Sequence, residues 1–184
     1  MSKNTLKQYL LEDFPNKEEE ISKLVSNYEV SEHFDEDEVE NIRTKIKSVD
    51  VVDPAVGSGA FIISMLEELT EVTEALNNAL GYEVDRFSLK EEFISRSLYG
   101  VDIDPSGIEL CKFRTWLHLM QDLDDVGLDE FLNHNEKYAL PNLGFKFFVG
   151  NSLSGDFKPT EIRSVLDNIG GEKTGDESMQ TTIG

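Results

Sequence analysis

The chain has 184 residues, with 37 acidic against 17 basic side chains, a formal charge of −20, and 39% hydrophobic residues. That length and apolar content fit one core, as one domain with or without tails. The charge excludes a chain that grips a nucleic-acid backbone unaided, which needs a basic surface, and the single cysteine, Cys111, excludes an internal disulfide or a CxxC metal site.

The opening MSKNTLKQYLLEDF lacks the apolar stretch of a signal peptide, and no run reaches transmembrane length. A soluble, cytoplasmic chain with no membrane partner is expected. Residues 1–30 read as one or two short helices, one of them containing Glu18, Glu19, Glu20, Ile21, Leu24 and Val25. An amphipathic helix over Asp35–Lys47 follows, with Val39, Ile42 and Ile46 on one face. A first strand, Val49–Val52, then runs into Asp53-Pro54-Ala55-Val56-Gly57-Ser58-Gly59 and a long helix starting near Gly59, with Phe61, Ile62, Met65, Leu66 and Leu69 as its buried stripe.

A strand, a glycine loop and a helix open a nucleotide-binding unit, and the loop's spacing limits the ligand. A phosphate-binding Walker loop ends in Gly-Lys-Ser/Thr, and no such lysine is present. A dinucleotide loop carries a third glycine three residues after the second, where this chain has Ile62. Asp53 at the loop's mouth would repel a pyrophosphate. A carboxylate beside bare backbone suits a ligand with an ammonium group and little anionic charge, and S-adenosylmethionine has these properties. Gly57 and Gly59 would let the chain come close to it. The same stretch also reads as a plain tight strand-to-helix turn.

Further along, Leu89, Phe93 and Ile94 mark a helix before Ser97, and Leu98–Ile103 reads as a second strand stopped by Pro105. A helix over residues 106–120 carries Ile108, Leu110, Cys111, Phe113, Trp116, Leu117 and Met120. The acid-rich QDLDDVGLDE reads as a loop or weak helix, Phe145–Val149 as a third strand ending at Gly150-Asn151, Thr160–Asp167 as a short helix, and the tail from Gly170 as flexible. His33, His118 and His134 are too scattered to form a metal cluster. Strand–helix alternation implies an α/β fold with a parallel, doubly wound sheet, whose ligands sit at the carboxyl ends of the strands. All three strands end there in polar or Gly-rich turns.

Asp102 can take both ribose hydroxyls of an adenosine ligand. Asp104 lies on the same face of the strand and competes for that role, but it also suits the N-cap before Pro105, which leaves the ribose to Asp102. Ile103 would then lie against the adenine ring. Asn151 can read the amino edge of adenine, with the Ser152 amide on a ring nitrogen, or it can be an ordinary turn asparagine.

DPAVGSGAF, LYGVDIDPSGIELCKFRTWLHLM and LPNLGFKFFVGNSL together resemble three successive blocks of the N6-adenine DNA methyltransferases. The nearest group is the fused type IIG restriction–modification enzymes and the related phage-exclusion methyltransferases. The likeness runs from about Ile46 to Leu153, and Leu89-Lys90 and Trp116-Leu117 fit its spacing. It implies the Rossmann-like fold of class I methyltransferases, incomplete here, and S-adenosyl-L-methionine as cofactor. Asp53, Ala55, Gly57 and Gly59 match the loop for its methionine end, with Pro54 and Phe61 in the same block. Asp102 matches the ribose acid, Ile103 the adenine contact, and Asn151 with Ser152 the adenine edge. Val56 departs from the usual cysteine, Gly107 from an alanine and Thr115 from a leucine.

The family's catalytic Asn-Pro-Pro-Tyr segment has no counterpart. The five prolines, Pro15, Pro54, Pro105, Pro141 and Pro159, include no adjacent pair. With the cofactor loop placed before the catalytic segment, the block order resembles the γ class of amino-methyltransferases. The resemblance therefore implies the cofactor-binding part of a site-specific DNA adenine-N6 methyltransferase, without catalytic residues or metal and without turnover of its own. DNA would be bound through other domains. The expected division is a helical segment 1–34, a cofactor subdomain 35–168 and a flexible tail 169–184, with a homodimer through an exposed sheet edge as a further expectation. The alternatives are a methyltransferase acting on RNA or protein, and a non-catalytic Rossmann-like interaction module.

Overall fold

The structure is a computed structural model that describes residues 1–123 and 142–153. It comprises two units, residues 1–150 and 151–184. The helix expected over Thr160–Asp167, the tail from Gly170 and most of the acidic stretch after Gln121 lie outside the described residues.

The first unit runs α1 (Ser2–Leu11), α2 (Glu18–Asn27), α3 (Glu36–Lys47), β1 (Val51–Asp53), α4 (Ala60–Ala79), α5 (Arg86–Arg96), β2 (Leu98–Asp102), α6 (Pro105–Met120), a short 3-10 helix (Leu143–Phe145) and β3 (Phe147–Val149). The strands form a parallel sheet in the order β1-β2-β3. Val51 lies opposite Leu98, Asp53 opposite Gly100, and Gly100 opposite Phe147. Helices α4, α5 and α6 pack against the sheet and against one another. β1 and β3 are the outer strands of this described sheet.

α4 is the centre of the core. Ile62, Leu66, Leu69, Val72 and Leu76 along it are fully buried, and α1, α2, α3, α5 and α6 all pack against it. Each such side chain removed from water contributes about 1.5–3 kcal/mol. The expected stripe on α3 is present: Val39, Ile42 and Ile46 are buried. So are Leu6 and Leu10 of α1 and Ile21, Leu24 and Val25 of α2, which belong to the same hydrophobic cluster as α4. Polar contacts reinforce this docking, from Ser2 Oγ to Ser64 Oγ at 2.6 Å and from the Tyr28 hydroxyl to Glu68 Oε2 at 3.1 Å. Among the described residues no helix is long and apolar enough to cross a membrane.

Helix starts follow local chemistry. Asp35 caps α3 in a reciprocal capping box with Glu38. Asp85 accepts from the Ser88 amide at the start of α5, and Asp104 accepts from the Ser106 amide at the start of α6, with Pro105 in the first turn.

The strand boundaries differ from those the sequence suggests. β1 begins at Val51, not Val49, because Val49 still donates to the Ile46 carbonyl of α3, and sheet pairing starts only where the Val51 amide reaches Ser97 O at 2.7 Å. β3 begins at Phe147, not Phe145. Asn142 accepts from the Gly144 amide and the Lys146 amide returns to Leu143 O, winding the apolar run Leu143–Phe145 into a turn. β2 ends at Asp102, so Ile103 lies beyond the strand.

A charged network joins α4, α5 and α6. Lys90 is 2% exposed and pairs with Glu67 at 2.9 Å and Asp122 at 2.5 Å. Arg86 bridges Glu71, Glu74 and Asp122, and His118 meets Glu67. Burial pushes the Glu67 carboxyl up, but the hydrogen bonds and charges of Lys90 and His118 outweigh it, so its pKa is lowered.

Candidate cofactor-binding site

The loop after β1 is held by backbone bonds from two directions. The Val56 amide donates to Val101 O at 2.9 Å, and the Gly59 amide closes the turn on Val56 O at 2.8 Å. Gly57 (φ 51°) and Gly59 (φ 82°) both occupy the left-handed region, which L side chains rarely adopt. Val56 is buried and seats on the sheet at Gly100, where an added Cβ would lie 2.8 Å from the valine side chain.

Asp102 ties the loop to the second strand. Its Oδ2 accepts the Gly57 amide at 2.7 Å and its Oδ1 accepts the Asp104 amide at 2.9 Å. The amides of Asp104, Gly57 and Ile103 hold its carboxyl below the ordinary carboxylate value, against a smaller opposing effect of burial. A carboxylate has about four acceptor sites, so the three amides leave capacity for about one ligand hydroxyl. The neighbouring Asp104 is engaged as a helix cap, accepting the Ser106 amide at 2.9 Å.

The other candidates in this unit cluster with Asp102 by chain and register. Asp53 ends β1, and its Oδ1 accepts the Ala55 amide at 3.0 Å. Pro54 and Ala55 are exposed, while Phe61 in the first turn of α4 is half-buried. Ile103 is 71% exposed, an apolar side chain presented directly after the acid. Asn151 and Ser152 belong to the second unit and are exposed. There Asn151 Oδ1 accepts the Leu153 amide at 3.0 Å, a turn contact. A cleft lined by Arg43, Lys47, Asn77, Tyr82 and Asp85 contains none of these candidates, and its two cations are paired with Glu40 and Glu92.

The residues present fit an adenosine-type cofactor. The glycine loop offers backbone that a Cβ would obstruct, the fixed carboxylate lies 4.0 Å from where a Gly57 Cβ would stand, and the exposed isoleucine offers an apolar face. Among the described residues no group of three or more histidine, cysteine or acidic side chains could hold a metal ion.

Sequence reasoning missed the helix face that backs the loop. An added Cβ on Gly59 would stand 2.6 Å from Cys111 Sγ, and one on Gly107 would stand 3.2 Å from Gly57 O. Arg114 Nη1 reaches Ser58 O at 3.0 Å and Ser58 Oγ at 2.9 Å. The spacing of residues 107, 111 and 114 puts all three on one side of a helix. That spacing was the available signal, but it names no partner.

A parallel sheet with its glycine loop after β1 and an acid at the end of β2 is a Rossmann-like arrangement. Residues 28–161 match the family described as "MmeI, DNA-methyltransferase domain", and the chain belongs to that family. A curated relative, a putative type II restriction enzyme and methyltransferase of Methanocaldococcus jannaschii, is 37% identical over 154 residues, which cover 82% of this chain and 12% of that protein. The chain thus spans about an eighth of that relative's length. No solved structure matches. The resemblance of the three sequence blocks to restriction–modification methyltransferases is borne out, and a methyltransferase domain in general implies S-adenosylmethionine as methyl donor.

Proposed function

We propose that this chain is the cofactor-holding part of a DNA adenine-N6 methyltransferase of a restriction–modification system, and that it binds S-adenosylmethionine at the loop 53–59 and Asp102. The observation that carries the reading is the double anchoring of Asp102, whose carboxylate fixes the glycine loop while keeping acceptor capacity for a ribose. Asp53 would meet the ammonium group, the backbone of Gly57–Gly59 the rest of the methionine end, and Ile103 the adenine ring.

The cofactor would supply an electrophilic methyl group on a sulfonium centre. The residues here bind and orient it, and orientation is a large part of what such a transfer needs. They supply no acceptor pair for a target amine, because no two prolines adjoin to form the family's catalytic segment. Turnover by this chain alone is therefore not expected, and with a net charge of −20 the DNA would be held by other modules.

Ligand-dependent thermal stabilisation tests the cofactor class. S-adenosylmethionine and S-adenosylhomocysteine at a hundred times their Kd should stabilise the fold by about 2.7 kcal/mol, while NAD and ATP leave the melting temperature unchanged. Stabilisation by NAD or ATP instead would overturn the reading. Label transfer from the methyl donor to DNA by this chain alone would overturn the assignment of catalysis to other segments.

A further inference from the structure

α6 backs the glycine loop, and one of its side chains does more than pack. Gly107 lies against the Gly57 carbonyl and Cys111 against Gly59, while the Arg114 guanidinium bonds Ser58 through both its carbonyl and its hydroxyl. Ser58 stands between two glycines of positive φ, a stretch with little conformational preference of its own. Its carbonyl shares a peptide plane with the Gly59 amide, and that amide closes the loop on Val56 O at 2.8 Å. Fixing the Ser58 carbonyl therefore fixes the direction of the Gly59 amide. Among the described residues no other hydrogen bond reaches the Ser58 carbonyl.

We infer that Arg114 is a positioning residue for the amino-acid end of the cofactor: it holds the Gly57-Ser58-Gly59 peptide planes in the conformation that receives the methionine moiety. This rests on the cofactor reading above. The adenosine end is held elsewhere, by Asp102 and Ile103, so Arg114 should affect ligands according to whether they carry an amino-acid end.

The test compares S-adenosylhomocysteine with methylthioadenosine, which shares the adenosine and sulfur but lacks the amino acid. Both are titrated calorimetrically into the wild-type chain, Arg114→Ala and Arg114→Lys. Arg114→Ala should weaken S-adenosylhomocysteine roughly tenfold or more, equivalent to about 1.4 kcal/mol, and leave methylthioadenosine within about twofold, a change of only a few tenths of a kcal/mol. Arg114→Lys, which keeps the charge but not the planar fork, should fall between. Equal loss for both ligands, or no loss in a folded variant, overturns the inference and leaves the cofactor reading intact. A folded wild-type chain that binds neither ligand overturns the cofactor reading itself, and this inference with it. Should Arg114→Ala not fold, the ligand ratio in Arg114→Lys decides in the same way.

Discussion

The carboxylate of Asp102 accepts the backbone amide of Gly57 at 2.7 Å across 45 positions of sequence. The end of the second strand thereby fixes the loop that follows the first. The same carboxylate takes the Asp104 amide, so one side chain organises both strand ends that would face the adenosine.

Acid should loosen this junction. The folded carboxyl of Asp102 is held below its ordinary value by the amides of Asp104 and Gly57. The unfolded group titrates near ~3.9. Its contribution is therefore complete above that pH and is lost as pH falls through the lower folded value. Thermal melts from pH 7 to pH 2.5 should show wild type more stable than Asp102→Asn at neutral pH, with the two curves converging at the acid end. A gap that persists unchanged to pH 2.5 would contradict this.

Gly59 tolerates no side chain for two separable reasons. Its φ of 82° is strained for any L residue, and a Cβ would stand 2.6 Å from Cys111 Sγ. Left-handed strain costs about 1–2 kcal/mol and overpacking about 1–3 kcal/mol, so Gly59→Ala should lose about 2–5 kcal/mol in urea unfolding. Adding Cys111→Ala should recover the packing part and leave the backbone part. Full recovery in the double variant would mean that the backbone carries no strain.

The buried Lys90 should matter more than its distance from the loop suggests. Lys90→Ala leaves Glu67 and Asp122 short of a partner, and breaking a buried pair costs about 3–5 kcal/mol. Arg86 also reaches Asp122 at 3.4 Å and Glu67 at 3.6 Å, which puts the expected loss near the lower end, about 3 kcal/mol. Because the Glu67 pKa is lowered, the stability it contributes is present above the ordinary glutamate value of about 4.3 and disappears as pH falls through the folded value. The difference between wild type and variant should therefore narrow below about pH 4. A loss under about 1 kcal/mol, the level of an exposed pair, would show the network to be superficial.

The first two helices should unfold with the rest of the unit. Leu10 is fully buried in the cluster that includes α4, so Leu10→Ala should cost about 2–5 kcal/mol. The single tryptophan, Trp116, lies in α6 and reports on a distant element. Far-ultraviolet dichroism and tryptophan fluorescence should shift together to lower urea. A fluorescence transition that stays put while dichroism shifts would make α1 an independent appendage.

Much of the fold was legible because single elements carry strong local signals. The α3 stripe, the cap at Asp104 and the loop glycines follow from spacing, dihedral preference and capping chemistry alone. α6 was not so legible, because it is apolar nearly all round and periodicity could not choose its face. Ile108, Cys111, Thr115 and Leu119 are buried, while Leu110, Phe113 and Leu117 stay 47%, 53% and 41% exposed. Thr115 can be buried because its hydroxyl bonds the Cys111 carbonyl one turn back. The site shows the same division. Asp102 stood out as a charge ending an apolar strand, but its bond to Gly57 is a tertiary event without a sequence mark. Lys90 and Arg114 were invisible as structural residues, since a lysine or arginine in a helix reads as a solvated surface position.

The most direct measurement is calorimetric titration of S-adenosylhomocysteine into the wild-type chain and into Asp102→Asn, with folding of both checked by melting. Saturable one-to-one binding by wild type, weakened at least about tenfold (about 1.4 kcal/mol) in the folded variant, is the expected result. Equal affinity in both proteins would contradict the role given to Asp102, and absence of binding by a folded wild-type chain would contradict the cofactor site as a whole.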